Sequence, residues 1–216
     1  MKRKVAFVLS GSGVKDGTEI HEAVSALIAL DRAGYEIIFT APDIEQTATV
    51  DHCTEKPERE TRNALVESAR IARGDIKPLA DLSSDEYDAV VFPGGFGAAL
   101  TLCSFAKDGP ECSVNPEVRK LIDEALENGK PIAAMCIAPV ILARIIPGAR
   151  LTIGSHPETA AAINAMGAKH ITCAVDDTVV DLERKIVTTP AYMLASGPAE
   201  VFEGAVSMVE KLGELF

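Results

Sequence analysis

Short uninterrupted apolar runs alternate along this chain with longer stretches in which apolar residues recur every three or four positions. Val5-Ala6-Phe7-Val8-Leu9 is the first run, and an unbroken apolar segment of that length predicts a strand buried on both faces of a parallel sheet. Small residues fill Ser10 to Gly17, and Glu19 to Ala33 is rich in helix formers, with Ile20, Val24, Leu27 and Asp31 on one side and Gly34 placed to end the helix. Tyr35 to Thr40 predicts a second strand that stops at Ala41-Pro42, and Thr61 to Arg73 a second helix closed by Gly74. The polar segment Val50 to Glu60 between them has the character of an excursion or hairpin.

Asp88-Ala89-Val90-Val91-Phe92 predicts a third buried strand, cut off by the tight turn Pro93-Gly94-Gly95. Asn115-Pro116 is a cap and first-turn pair for a helix in which Val118, Leu121, Ile122, Ala125 and Leu126 hold helical spacing before Gly129. Pro131 to Met135 predicts a fourth strand, with Cys136 at its end and the apolar stretch Ile137 to Ile146 after it. Leu151 to Ile153 is read as a strand, Pro157 to Met166 as a helix, Thr178 to Thr189 as two strands turning near Leu182 to Arg184, and Pro198 to Leu212 as a last helix. Strands alternating with helices at these spacings imply an α/β fold, a mostly parallel sheet covered on both faces.

The 216 residues fit one domain spanning 1–216, with no internal repeat or linker. Hydrophobic residues make up 47% and charged residues 25%, enough for a sizeable core without staples. The net charge of -11 repels phosphate backbones and anionic lipids, so nucleic acid and membrane surfaces are not expected partners. No apolar run approaches the ~18 residues that suggest a membrane helix. The basic start from Met1 leads into only about five apolar residues, too few for a signal-peptide core. A soluble, cytoplasmic protein is the expectation. Cys53, Cys103, Cys112, Cys136 and Cys173 form no C-x-x-C pair, and neither they nor His21, His52, His156 and His170 show metal spacing. The cysteine pattern favours a reducing compartment, and no metal is expected.

In open α/β sheets ligands bind beyond the carboxyl ends of the strands, which singles out Ser10 to Gly17, Pro93-Gly94-Gly95, Cys136 and Ser155-His156. Cys136 leaves no room for a loop between strand and helix, so the chain must turn at the cysteine, as at a nucleophile elbow. Backbone N–H groups at the helix start would then lower its pKa. Spacing alone leaves this open against a buried small hydrophobe. Pro93-Gly94-Gly95 leaves N–H groups unobstructed, suited to an oxyanion hole or to substrate contact at Gly94, against the alternative of a simple tight turn. The loop from Gly11 to Gly17 breaks the dinucleotide fingerprint, because its third glycine would fall on Asp16; it is read as structural, with Gly11 a candidate for substrate contact. A helical wheel sets Glu22 with Ser25 and Arg32 on a polar arc, which favours a solvated side chain. His156 stands in a loop at the same sheet edge, as either a surface histidine or a base.

Three segments together resemble the ThiJ/PfpI superfamily: Ala133-Ala134-Met135-Cys136-Ile137-Ala138-Pro139, Val90-Val91-Phe92-Pro93-Gly94-Gly95-Phe96-Gly97-Ala98, and Gly17-Thr18-Glu19-Ile20-His21-Glu22-Ala23-Val24. Val8-Leu9-Ser10-Gly11-Ser12-Gly13-Val14, Glu60-Thr61-Arg62-Asn63, Leu151-Thr152-Ile153-Gly154 and Ile186 to Leu194 resemble its ElbB branch, and the resemblance spans essentially the whole chain. It implies a flavodoxin-like three-layer sandwich, a homodimer, and the amidotransferase-like, isoprenoid-linked or glyoxalase descriptions given to that branch. By resemblance Cys136 is the nucleophile, Glu22 the carboxylate beside its sulfur, and the N–H groups of Gly95 and Ile137 the oxyanion donors. This reverses the wheel-based reading of Glu22. Ser155-His156-Pro157 resembles the histidine-proline pair of superfamily glyoxalases.

Two departures narrow the activity. Ile137 follows Cys136 where superfamily proteases carry a histidine, and no histidine follows His170 to supply the His-x-Glu pair of glutamine amidotransferases. The resemblance therefore implies a glutathione-independent glyoxalase acting on small 2-oxoaldehydes such as methylglyoxal and glyoxal, with no cofactor. The alternative is a non-catalytic redox or partner-binding protein in which Cys136 is oxidised. A dinucleotide-binding reductase is the third reading.

Overall fold

The computed structural model describes residues 2–216; Met1, part of the basic start weighed above, lies outside them. In chain order the elements are β1 (Lys4–Val8), α1 (Ile20–Arg32), β2 (Glu36–Ala41), β3 (Val50–Asp51), β4 (Lys56–Pro57), α2 (Ala64–Ile71), β5 (Lys77–Pro78), β6 (Ala89–Phe92), α3 (Phe96–Leu100), α4 (Phe105–Asp108), α5 (Pro116–Glu127), β7 (Ile132–Met135), α6 (Pro139–Ile145), β8 (Arg150–Leu151), α7 (Pro157–Ala165), β9 (Lys169–His170), β10 (Val179–Asp181), β11 (Ile186–Thr189) and α8 (Pro198–Gly213).

Seven strands form one sheet in the order β10-β11-β7-β6-β1-β2-β5, parallel except for the antiparallel edge strand β10. Alternate residues of the central strands feed two cores, as the two-residue period of a strand requires. Ala6, Val8, Val90, Phe92, Ile132 and Ala134 face one core, which includes Val118, Leu121 and Ile122 of α5 and Ile141 of α6. Val5, Phe7, Val91, Ala133 and Met135 face the other, beneath α1 and α8. The result is the three-layer α/β sandwich that the strand and helix pattern predicts.

Several elements follow directly from local chemistry. Asn115 caps α5, its Oδ1 accepting from the N–H groups of Glu117 at 2.9 Å and Val118 at 3.3 Å, and Pro116 occupies the first turn, where its missing N–H costs nothing. The polar 50–60 segment is a hairpin of β3 and β4. Two expectations need correction. The strand placed at Leu151 to Ile153 lies outside the main sheet, since β8 pairs with β9 in a separate two-stranded unit. The apolar side assigned to α1 is also wrong: Ile20 and Val24 are 44% and 43% exposed, while Glu22, Ala23, Ser25, Ala26 and Ala29 are buried. The wheel puts the largest aliphatic residues inside, but α1 lies close against α8 and the sheet, and its alanine side permits that approach.

Candidate active site

The chain leaves β1 for β2 on one side and returns to β6 on the other side of β1, and crevices at such reversals are where α/β sheets hold ligands. The segments after β1, β6 and β7 converge there. At the end of β7 the chain turns at Cys136 with φ of 60°, a left-handed conformation that is costly for any residue with a Cβ. The Cys136 N–H is held by the Thr189 carbonyl at 3.0 Å, and α6 starts three residues later at Pro139. The sharp strand-to-helix turn foreseen from the absence of a loop is therefore present.

Gly94 and Gly95 close the site from the end of β6. A Cβ on Gly94 would stand 2.4 Å from the Cys136 Cβ and 2.6 Å from Glu22 Oε2, so only glycine fits. Gly95 has φ of 95°, and a Cβ there would come within 2.4 Å of the backbone at Gly17 and Glu19. Glu22 is wholly buried. Its Oε2 accepts from the Gly94 N–H at 2.9 Å and its Oε1 from the Tyr192 N–H at 3.2 Å, which fixes the carboxyl toward the thiol. Glu19 caps α1 by accepting from the Glu22 N–H at 2.6 Å, so a second carboxylate stands nearby.

Burial pushes the Glu22 carboxyl up to about 8, with the Glu19 charge adding to the rise; the bonds from Cys136, Tyr192 and Gly94 offset only part of it. Burial also raises the Cys136 thiol well above its ordinary value, and the charge and hydrogen bonding of Glu22 raise it further. The N–H groups of Gly95 and Ile137 act on the sulfur in the opposite sense and are outweighed. The depressed thiol pKa expected from the elbow is thus overturned, because loss of water and an adjacent carboxyl exceed the effect of two backbone dipoles.

Above the sulfur lies a cavity of about 730 Å³ that includes Gly95, Cys136, Ile137, His156 and Tyr192 in its walls. His156 is exposed; its Nδ1 lies 2.9 Å from Thr159 Oγ1 and accepts from the Thr159 N–H at 3.4 Å, capping α7. Gly94 reaches the site through Glu22 instead of through the cavity wall. Gly11 is not in that wall: its N–H donates to Ser68 Oγ at 2.8 Å, and a Cβ there would strike Gln46. The N–H groups of Gly13 and Gly17 are likewise spent on the carbonyls of Thr18 and Gly13, and that of Lys15 on His52 Nε2. Tyr192, which sequence reasoning missed, donates its backbone N–H to Glu22 and places its hydroxyl 2.7 Å from His21 Nδ1. Its sequence signals are its position just after a strand end and its place in the Ile186 to Leu194 segment that carries the ElbB resemblance. Among the described residues, no group of three or more His, Cys, Asp or Glu side chains is placed to hold a metal ion.

Residues 3–196 match the model of the DJ-1/PfpI family. The chain belongs to the DJ-1/PfpI family. Within reach of this family assignment, the chain is 48% identical over 222 residues to human glutamine amidotransferase-like class 1 domain-containing protein 3, mitochondrial, covering 98% of this chain and 83% of that protein. It is 47% identical to the rat ES1 protein homolog, mitochondrial, over 99% of this chain and 84% of the relative. A crystal structure from Ehrlichia chaffeensis, described as an isoprenoid biosynthesis protein with amidotransferase-like domain, superposes with a TM-score of 0.92 at 33% identity and covers 99% of both chains. The ElbB-like, amidotransferase-like character inferred from the motifs is thereby supported. Both mammalian relatives are mitochondrial by name, which differs from the cytoplasmic placement expected of this chain. Among the described residues no helix is long and apolar enough to cross a membrane.

Proposed function

We propose that this DJ-1/PfpI protein is a cysteine-dependent, glutathione-independent glyoxalase that converts small 2-oxoaldehydes to 2-hydroxy acids. The observation that carries the reading is the Glu22 carboxyl, buried beside the Cys136 thiol with its pKa pushed up to about 8. A carboxyl with a pKa near the working pH both accepts and returns a proton, which is what an isomerisation needs.

The Cys136 sulfur adds to the aldehyde carbon while the thiol proton passes, by way of Glu22, to the carbonyl oxygen, giving a hemithioacetal. The N–H groups of Gly95 and Ile137, which already act on the sulfur, stabilise the charge that develops on that oxygen. Glu22 as carboxylate then takes the C1 proton, the C–H electron pair forms the C1=C2 bond and the C2 carbonyl π pair moves onto its oxygen; the C1 hydroxyl proton passes to that oxygen, the C1 oxygen re-forms a carbonyl, and Glu22 returns its proton to C2. The product is a thioester of Cys136, which water cleaves to the hydroxy acid and the free thiol. His156, in the wall of the same cavity, is a further candidate base.

The test is hydroxy-acid formation from methylglyoxal and glyoxal without glutathione under reducing conditions, comparing the protein with Cys136→Ala. Product from the parent alone supports the reading; none from either sinks it. A second reading is favoured by the protonated state of Glu22, since a neutral carboxyl can donate a hydrogen bond to an oxidised sulfur. In it two equivalents of peroxide convert Cys136 to a sulfinate with release of water. Two oxygens gained on Cys136 alone, with no aldehyde turned over, would support it.

We further propose that the partner of the exposed Ile20, Val24 and Ile28 stripe on α1 is a second copy of the chain. Sedimentation of the parent as a dimer and of Val24→Glu as a monomer checks it. A reducing aqueous compartment, the cytoplasm of the sequence reading, suits the five free cysteines among the described residues.

A further inference from the structure

The cavity over Cys136 is much larger than a three-carbon aldehyde requires. At about 730 Å³ it falls in the range of pockets that enclose drug-sized ligands. Val14, Phe96, Phe105, Ile137 and Met193 supply apolar wall. Phe96 is 53% exposed and Val14 38% exposed. Large apolar side chains left in water around a reactive group mark a surface that binds something apolar. At the floor the Cys136 sulfur meets the Gly95 and Ile137 N–H groups, with the wholly buried Glu22 carboxyl beside it, a set that suits a carbonyl; Lys107, His156, Glu158, Thr159 and Tyr192 are the polar residues of the wall.

We infer that the natural substrate is a carbonyl compound bearing an apolar arm at least the size of a phenyl ring, with the arm lying against Phe96, Val14 and Phe105. Methylglyoxal is then a minimal substrate that fills only the floor. This rests on the reading of Cys136 as the nucleophile, and it adds the substrate class to that reading.

The experiment measures alkylation of Cys136 by two chloromethyl ketones, chloroacetone and phenacyl chloride. In both, sulfur displaces chloride from carbon and the thiol proton leaves to solvent, so the reagents differ in the arm. Each rate is divided by the rate of the same reagent with 2-mercaptoethanol, which removes intrinsic reactivity. The normalised phenacyl rate should exceed the chloroacetone rate at least tenfold, and the ratio should fall at least threefold in Phe96→Ala. Ala106→Trp, at an exposed position of the cavity wall, should lower the ratio in the same way and guards against a folding defect in the first variant. Equal normalised rates overturn the apolar-arm inference while leaving the nucleophile intact. Failure of both reagents to modify Cys136 overturns the nucleophile reading and this inference with it. A phenacyl advantage that vanishes as protein concentration rises assigns the apolar rim to a second copy of the chain, and also overturns the inference.

Discussion

The Glu22 carboxyl and the Cys136 side chain meet in the space where the side chain of residue 94 would be. A Cβ there would lie 2.6 Å from Glu22 Oε2 and 3.0 Å from Cys136 Sγ. Gly94 thus acts twice, by having no side chain and by donating its N–H to the carboxyl at 2.9 Å. Gly94→Ala must push the pair apart. Overpacking of this kind costs about 1–3 kcal/mol, and a displacement of the reacting groups by about 1 Å costs on the order of 100-fold in rate. A folded Gly94→Ala variant with full turnover would refute this account of the pair; thermal unfolding and hydroxy-acid assays read the two effects separately.

Glu22→Gln keeps the shape of the side chain and one acceptor, for the N–H of Tyr192 or of Gly94 but not both, and removes the ability to cycle a proton. The variant is expected to fold and to retain alkylation of Cys136 while losing hydroxy-acid formation at least 100-fold. Loss of cysteine reactivity together with turnover would show that Glu22 acts on the sulfur alone.

The same substitution reports on stability through pH. The Glu22 carboxyl sits near 8 in the folded protein against an ordinary 4.5, so between these values the folded state holds a proton that the unfolded chain has released. Its contribution to stability is fully present below about pH 4.5 and is lost as the pH rises through about 8. The difference in unfolding free energy between the parent and Glu22→Gln should therefore move against the parent across that window, by on the order of a few kcal/mol in total, and level off above it. A difference that stays constant from pH 5 to pH 9 would contradict the raised carboxyl.

How much of this was legible in sequence depended on whether the determinant was local. Cys136 and the Gly94-Gly95 turn could be found because a strand runs into each with no loop between, and the backbone has only left-handed or side-chain-free solutions at such points. Glu22 was misplaced by periodicity, since α1 turns Ala23, Ala26 and Ala29 inward and leaves Ile20 and Val24 outside; only the motif resemblance recovered it. Tyr192 serves Glu22 through its main chain, which leaves no mark on residue type. The five-residue α3 and four-residue α4 are too short to show a helical period, and the two-residue β5 and β9 too short to alternate. The thiol pKa was misjudged because the helix-end dipole can be read from sequence, whereas the burial that outweighs it cannot.

The pH dependence of turnover follows from the same carboxyl. If Glu22 as carboxylate removes the C1 proton, kcat/KM for methylglyoxal should climb about tenfold per pH unit below about 8 and flatten above it. His156 faces the cavity, but its Nδ1 is engaged with Thr159. His156→Ala should therefore preserve the position of this rise and cost less than about tenfold in rate, together with about 1 kcal/mol of stability from the lost α7 cap. His156→Asn restores a side-chain cap acceptor and should recover the stability but not any catalytic share. A rise that disappears in His156→Ala and is not restored in His156→Asn would transfer the role of base from Glu22 to His156.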